Sequence, residues 1–206
     1  MKQELDALCR DDIIEPVTEP SAWISALLVV HRADNKVRVC LDPKPLNRAL
    51  KRSNYPMPTI DDVLPQLSKA KVFSSVDAKR GFWNLRLDAP SRALTTFETP
   101  FGRYRWKRLA FGLSVSPELW QRRIHEALAG LSGIACIADD ILIYGCGEDM
   151  EAANADHDRN LIALLDRCRE INLHLNEDKV QLRKKSTVFM GHELTENGLR
   201  PDKRKN

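Results

Sequence analysis

The 206-residue sequence contains no unbroken apolar run of about 18 residues, the length a helix needs to cross a bilayer, and no charged-then-apolar leader follows Met1. Membrane-spanning and secreted classes are set aside on that basis. A cytoplasmic protein is expected, with the nucleus as the alternative. The five cysteines (Cys9, Cys40, Cys136, Cys146 and Cys168) are odd in number and scattered. Only Cys136 and Cys146 lie near each other, and no histidine accompanies them at zinc-ligand spacing, so reduced thiols are expected rather than a disulfide framework or a zinc site. A large excess of one charge is missing too. The formal net charge of +3 does not by itself require a polyanionic partner. No internal repeat, low-complexity tract or obvious linker interrupts the chain.

What is present is an ordinary globular composition, 43% hydrophobic and 30% charged, in a chain long enough for one sizeable domain or two intimately joined subdomains. Basic residues cluster at Arg103, Arg105, Lys107 and Arg108, at Arg122 and Arg123, at Arg183 to Lys185, and at Lys203 to Lys205. Such clusters suit phosphate contacts, and equally suit a solvated face.

Residues 1–12 read as a polar helix, with Leu5 and Leu8 on one side. Ala26 to Val30 and Val37 to Leu41 flank the Asp34-Asn35 turn signal and predict a hairpin. Thr59 can cap a helix running to about Leu67, and Val72 to Val76 reads as a strand ending at Asp77. A second hairpin is expected where Thr95 to Thr99 and Tyr104 to Lys107 flank Pro100-Phe101-Gly102. Ser116-Pro117-Glu118 signals a helix start, followed by an apolar stripe of Trp120, Ile124, Ala127 and Leu128 and a stop at Gly130. Ile134 to Ala138 and Ile141 to Tyr144 are apolar strands joined at Asp139-Asp140. A last amphipathic helix carries Leu161, Leu164, Leu165, Cys168 and Ile171, and strand-like segments return at Leu173 to Leu175 and Val188 to Leu194. Helices and hairpins alternate without a βαβ rhythm, which predicts an α+β fold with a mainly antiparallel sheet.

The chemistry is concentrated in acids. Asp139 and Asp140 are adjacent carboxylates hemmed in by apolar residues. They can be plain turn residues, yet short hairpins prefer Asn-Gly or Asp-Gly. Two neighbouring acids repel, no basic residue follows closely, and a divalent cation would neutralise them. Asp77 adds a third acid at the end of an apolar strand. Three hard oxygen donors suit Mg²⁺ completed by substrate phosphates, and two such ions can drive in-line phosphoryl transfer.

Several motifs now stand in order. They are Arg38-Val-Cys-Leu-Asp42-Pro-Lys-Pro-Leu46-Asn47, Tyr55-Pro-Met-Pro58, Asp77 with Gly81-Phe82, and Leu109-Ala-Phe-Gly-Leu-Ser-Val-Ser-Pro117. The Ala138-Asp139-Asp140 tip, Leu175-Asn176 with Lys179, and Phe189-Met-Gly-His192 follow. From about Ile13 to Pro201 the chain resembles the reverse transcriptase domain of a gypsy-like LTR retrotransposon. The resemblance implies a right-hand polymerase with fingers at roughly 1–55 and 85–110 and palm at roughly 56–84 and 111–200, the palm an antiparallel sheet backed by helices.

By the same resemblance, Asp77, Asp139 and Asp140 hold two Mg²⁺ ions, with Mn²⁺ a substitute, for template- and primer-dependent transfer of deoxynucleotides on RNA or DNA. Arg38 and Arg32 match cations that grip the triphosphate, and Phe82 matches the ring that excludes a 2′ hydroxyl. Phe111 and Gly112 match the strip beside the nucleotide, and Lys179 a lysine near the leaving group. Phe189, Met190, Gly191 and His192 match the loop at the primer end. Ile137 departs from the family's usual tyrosine, a change expected to touch primer packing rather than metal ligation. The resemblance also implies a thumb, an RNase H domain and an integrase in the remainder of a polyprotein. Two other readings compete: an inactive or co-opted remnant that only binds nucleic acid or protein, and an RNA-templated RNA polymerase, against which Phe82 argues.

Overall fold

Among the described residues every pair of named strands is antiparallel. The fold was read from a computed structural model that describes residues 1–31, 37–52, 54–196 and 198–201. In chain order the elements begin with helix α1 (Lys2–Arg10), strands β1 (Ile14–Val17), β2 (Ala26–His31) and β3 (Val37–Asp42), and helices α2 (Lys44–Ala49) and α3 (Ile60–Val63). Then come β4 (Ala70–Asp77), α4 (Ala89–Leu94), β5 (Phe97–Thr99), β6 (Gly102–Trp106) and α5 (Ser116–Leu128). The chain continues with β7 (Ile134–Ile137), β8 (Asp140–Cys146), α6 (Met150–Glu170), β9 (Gln181–Lys184), β10 (Ser186–Phe189), β11 (His192–Thr195) and β12 (Gly198–Pro201). Among the described residues no helix is long and apolar enough to cross a membrane.

Two compact units emerge. The first is Met1–Asn54 with Arg80–Trp120, and the second Tyr55–Lys79 with Gln121–Asn206. In the first, β1-β6-β5 form one sheet and β2-β3 a hairpin. Its core gathers Leu5 and Leu8 from α1 with Ile14, Leu41, Phe97, Tyr104 and Trp106. Phe97 and Trp106 are wholly buried, and their rings lie 6.0 Å apart. The expected hairpin turn at Asp34-Asn35 lies outside the described residues, as do Arg32 and Lys203 to Lys205.

The second unit is built on the sheet β7-β8-β4-β9, with a smaller sheet β10-β11-β12. In the central pair Phe73 faces Tyr144 and Asp77 faces Asp140. Val63, Phe73, Ile137, Leu142, Phe189 and Leu194 form its apolar core. Helix α6 begins at Asp149, whose side chain accepts the Ala152 N–H at 2.8 Å, and it packs on β8 and β4. Gly145 permits that approach: a Cβ there would lie 2.1 Å from the Ala153 carbonyl oxygen and 2.5 Å from the His157 Cβ.

Several expectations need correction. The helix after Thr59 keeps its capping box but is α-helical only to Val63, and Pro65 sits in the 3₁₀ turn Leu64–Leu67 that follows. The segment Val188 to Leu194 is not one strand. It folds back at Met190-Gly191, whose φ angles of 51° and 77° are those of a tight hairpin turn between Phe189 and His192. Ile171 lies past the end of α6 and is 40% exposed. Leu173 to Leu175 contributes one isolated bridge, Ala78 to Leu175, rather than a strand. The joint between β7 and β8 is Ala138-Asp139, because Asp140 already pairs with Ile137.

Candidate active site

Each acid is placed by backbone pairing. The alternation of β4 buries Val72, Ser74 and Val76, and the strand ends at Asp77 with its side chain 14% exposed. On the neighbouring strand Asp140 is its register partner. The turn is tied down beside them, since the Ala78 N–H donates to the Asp139 carbonyl at 2.7 Å and the Asn176 N–H to the Asp77 carbonyl at 2.9 Å. The acids that sequence separates are therefore adjacent in the sheet.

Asp77, Asp140, Asp178 and Lys179 line a cleft of about 330 Å³, together with Gln181 and Phe189. Lys179 Nζ donates to Asp77 Oδ2 at 2.7 Å. Sequence reading missed this counter-charge because it reaches Asp77 through the fold, not along the chain. Asp140 is exposed as a residue, but nearby protein atoms desolvate its carboxyl and Asp77 repels its charge. Both push its pKa up, against the pull of Lys179. Burial, with Asp139 and Asp140 nearby, raises the Cys136 thiol to about 12, so this sulfur stays protonated at neutral pH.

The donor set fits a hard divalent cation: the Asp77 and Asp140 carboxylates share one cleft with Asp178, the repulsion of Asp77 is written into Asp140, and no soft ligand lines the cleft. A pre-assembled cage of three is not found. Among the described residues no three His, Cys, Asp or Glu side chains are gathered closely enough to hold an ion. Lys179 draws the Asp77 carboxylate to itself, and the Asp139 main-chain carbonyl is bound by the Ala78 N–H.

In the first unit, the Arg38 guanidinium stacks 4.7 Å over the Phe111 ring. Phe82, half-buried on that unit's core, sits 4.9 Å from the same ring. Gly112 has φ +101°, and a Cβ there would lie 1.8 Å from the Leu41 carbonyl oxygen, so only glycine fits. The Leu41 N–H donates to the Phe111 carbonyl at 2.8 Å, and Asn47 Nδ2 to the Gly112 carbonyl at 2.9 Å. In the second unit Phe189 is core, Met190 is exposed at the hairpin tip and His192 opens β11. Ile137 is 2% exposed and belongs to the same apolar core as Phe189.

Most of the basic clusters are spoken for. Arg105 bridges Glu15 and Glu19, Lys107 and Arg108 gather at Asp12, Arg122 and Arg123 share Glu126, and Arg183 grips Asp158. Sequence reading also missed buried polar groups around the acids. Ser74, His157, Gln121 and Asn160 all lie inside the second unit. The one available signal was a polar residue at an apolar-stripe position, as with Gln121 beside Trp120.

A sheet that delivers two hard carboxylates to one cleft with a lysine alongside is suited to holding a cation against phosphate. The chain belongs to the reverse transcriptase (RNA-dependent DNA polymerase) family, whose pattern matches residues 30–194. It is similar to the retrovirus-related Pol polyprotein from transposon 412 of Drosophila melanogaster, 34% identical over 213 residues, covering 100% of this chain and 17% of that polyprotein. The enzymatic polyprotein of cauliflower mosaic virus (strain Strasbourg) is also 34% identical, over 97% of this chain and 30% of its own length. The chain thus spans less than a third of these relatives. Among solved structures, the foamy viral protease-reverse transcriptase with double-stranded DNA superposes with a TM-score of 0.87 at 22% identity, over 98% of this chain and 34% of that one. Its complex with an RNA/DNA hybrid gives 0.84 at 22% identity, over 98% and 26%. The gypsy-like resemblance and the α+β polymerase fold expected from the motifs are both met.

Proposed function

We propose that the chain is the catalytic core of an RNA-directed DNA polymerase, extending a primer along an RNA or DNA template with deoxynucleotides. One observation carries the reading: in a reverse transcriptase family chain, Asp77 and Asp140 are register partners opening on one cleft with Lys179. Asp77, Asp139 and Asp140 are the residues proposed to hold Mg²⁺, with Mn²⁺ a substitute. When bound, a pair of such ions activates the primer 3′ hydroxyl and offsets charge on the reacting phosphate.

The protein's own groups supply the rest. Asp140, with its raised pKa, holds its proton more readily than an ordinary aspartate, and a bound cation would offset that. Lys179 is proposed to exchange Asp77 for the departing pyrophosphate and to donate a proton to it. Arg38, levelled on Phe111, is proposed to bind the triphosphate, with Arg32 a second cation. Phe82, braced against Phe111, would close the space a 2′ hydroxyl needs, and Gly112 would let main chain approach the nucleotide. The tip from Phe189 through Met190 and Gly191 to His192 would hold the primer end. A thumb, an RNase H domain and an integrase are the proposed partners elsewhere in a polyprotein.

The test is extension of a primed RNA template with Mg²⁺ or Mn²⁺, comparing this chain, a longer parent segment and Asp139→Asn. Extension by wild type and its loss in the variant are expected. Equal extension by both discards the site. Template binding without extension by either favours a remnant that only binds.

A further inference from the structure

The turn that carries Asp139 is held from outside its own sheet. Strand β7 is an edge strand in the order β7-β8-β4-β9, so among the described residues no strand bonds its outward main-chain groups. Gln121, wholly buried on α5, fills that role. Its Oε1 accepts the Ala138 N–H at 2.7 Å, and its Nε2 donates to the Cys136 carbonyl at 3.0 Å. One side-chain amide thereby reads the peptide groups on both sides of Ile137, as a neighbouring strand would. Ala138 needs the support, because its φ of 53° is left-handed, a conformation costing a non-glycine residue about 1–2 kcal/mol.

The amide is itself oriented. His125, one helical turn on, places Nε2 2.7 Å from Gln121 Nε2 and 3.2 Å from the Cys136 carbonyl oxygen, and its Nδ1 3.0 Å from the Tyr55 hydroxyl. The tautomer with its hydrogen on Nδ1 accepts from the amide and donates to Tyr55. Reversing the amide would set its NH₂ against the Ala138 N–H and its oxygen against the Cys136 carbonyl. The arrangement admits one orientation of Gln121, and through it one conformation of the turn.

We infer that Gln121 is a positioning residue for the candidate active site: its amide, aligned by His125 and Tyr55, fixes the Ala138-Asp139 turn so that Asp139 and Asp140 face a cation together with Asp77. The cation rests on the function proposed above; the clamp does not. Two measurements on the whole chain separate them. The first needs no metal and no activity. In Gln121→Leu the Ala138 amide, monitored by hydrogen exchange, should exchange at least about tenfold faster while central β4 amides keep their protection. The second is Mn²⁺ binding, read by paramagnetic relaxation, with Asp139→Asn as the reference for a damaged site. Affinity should fall roughly 10- to 100-fold in Gln121→Leu, and less in His125→Phe, which keeps the amide but removes its guide.

Unchanged Ala138 exchange, or unchanged Mn²⁺ affinity with faster exchange, overturns the positioning role. If Gln121→Leu does not fold, His125→Phe decides by the same pair of readouts. A wild-type chain that extends no primer but shows both effects refutes the polymerase reading and leaves the clamp standing. A chain that extends primer while Gln121→Leu keeps wild-type metal affinity does the reverse.

Discussion

In the unit formed by Met1–Asn54 and Arg80–Trp120, buried hydroxyls bond mostly close at hand. Thr95 donates to Arg92, Thr96 to Ala93 and Thr99 to Gly102. In the unit formed by Tyr55–Lys79 and Gln121–Asn206, buried polar groups join elements far apart in sequence. Ser74 on β4 meets His157 Nε2 on α6 at 2.7 Å and accepts the Arg183 N–H of β9 at 2.9 Å. Asn160 Nδ2 donates to the Tyr144 carbonyl at 3.0 Å, and Gln121 clamps β7. The first unit packs rings, with Trp83, Trp106, Phe97 and Tyr104 in sequence of contact. Apolar packing is tolerant of small shifts, whereas hydrogen bonds fix register and direction. The unit that carries Asp77, Asp139 and Asp140 is tied across its elements by buried side-chain hydrogen bonds.

The largest effect expected from breaking this contrast is Trp106→Ala, which removes the ring at the centre of the first unit and should cost about 3–5 kcal/mol. Amide exchange should rise throughout β1, β5 and β6. Gly145→Ala attacks the other side by pushing α6 off β8, and should cost about 3 kcal/mol, seen as a lowered melting temperature. Ser74→Ala leaves a buried imidazole nitrogen and the Arg183 N–H without their shared oxygen, costing about 1–3 kcal/mol. Loss of exchange protection in β9 before β8 is the expected sign, and uniform loss would show that the hydroxyl does not specify the edge strand.

The smallest effect has the opposite sign. Asp140 has a raised folded-state pKa, so its burden on stability is absent at pH values below its unfolded pKa and sets in as pH rises through the folded one. Asp140→Asn should therefore melt higher than wild type near pH 7, by less than about 1 kcal/mol after solvent screening. The difference should vanish in acid. A variant less stable at neutral pH would show that the carboxylate is not under strain from Asp77.

The acids, their strands and the antiparallel class were legible because apolar runs ending in Asp leave a plain periodic mark. The hairpin β2-β3 and the helix at Ser116 were legible for the same reason. Helices α2 and α4 span only six residues each, too short to show a period. The first half of α6 hides differently: the residues it buries are Ala153, His157 and Asn160, so its inward face is polar and carries no hydrophobic signal. Lys179 and Asp77 could each be flagged by motif, but their pairing could not, since that ion pair exists only after β4 and the Glu177–Lys179 turn meet. Gln121 lies between the two cases, a polar residue on an apolar helix face whose purpose appears only with the turn opposite.

The order of the chain bears on when the site can exist. Strand β4 is synthesised well before β8, and the second stretch of the first unit is made between them. A nascent chain leaving the ribosome therefore carries Asp77 for some time with no antiparallel neighbour to receive it. Premature release anywhere before β8 yields a product with an unpaired strand edge and no acid pair, a species prone to aggregation and unable to hold a cation by this arrangement.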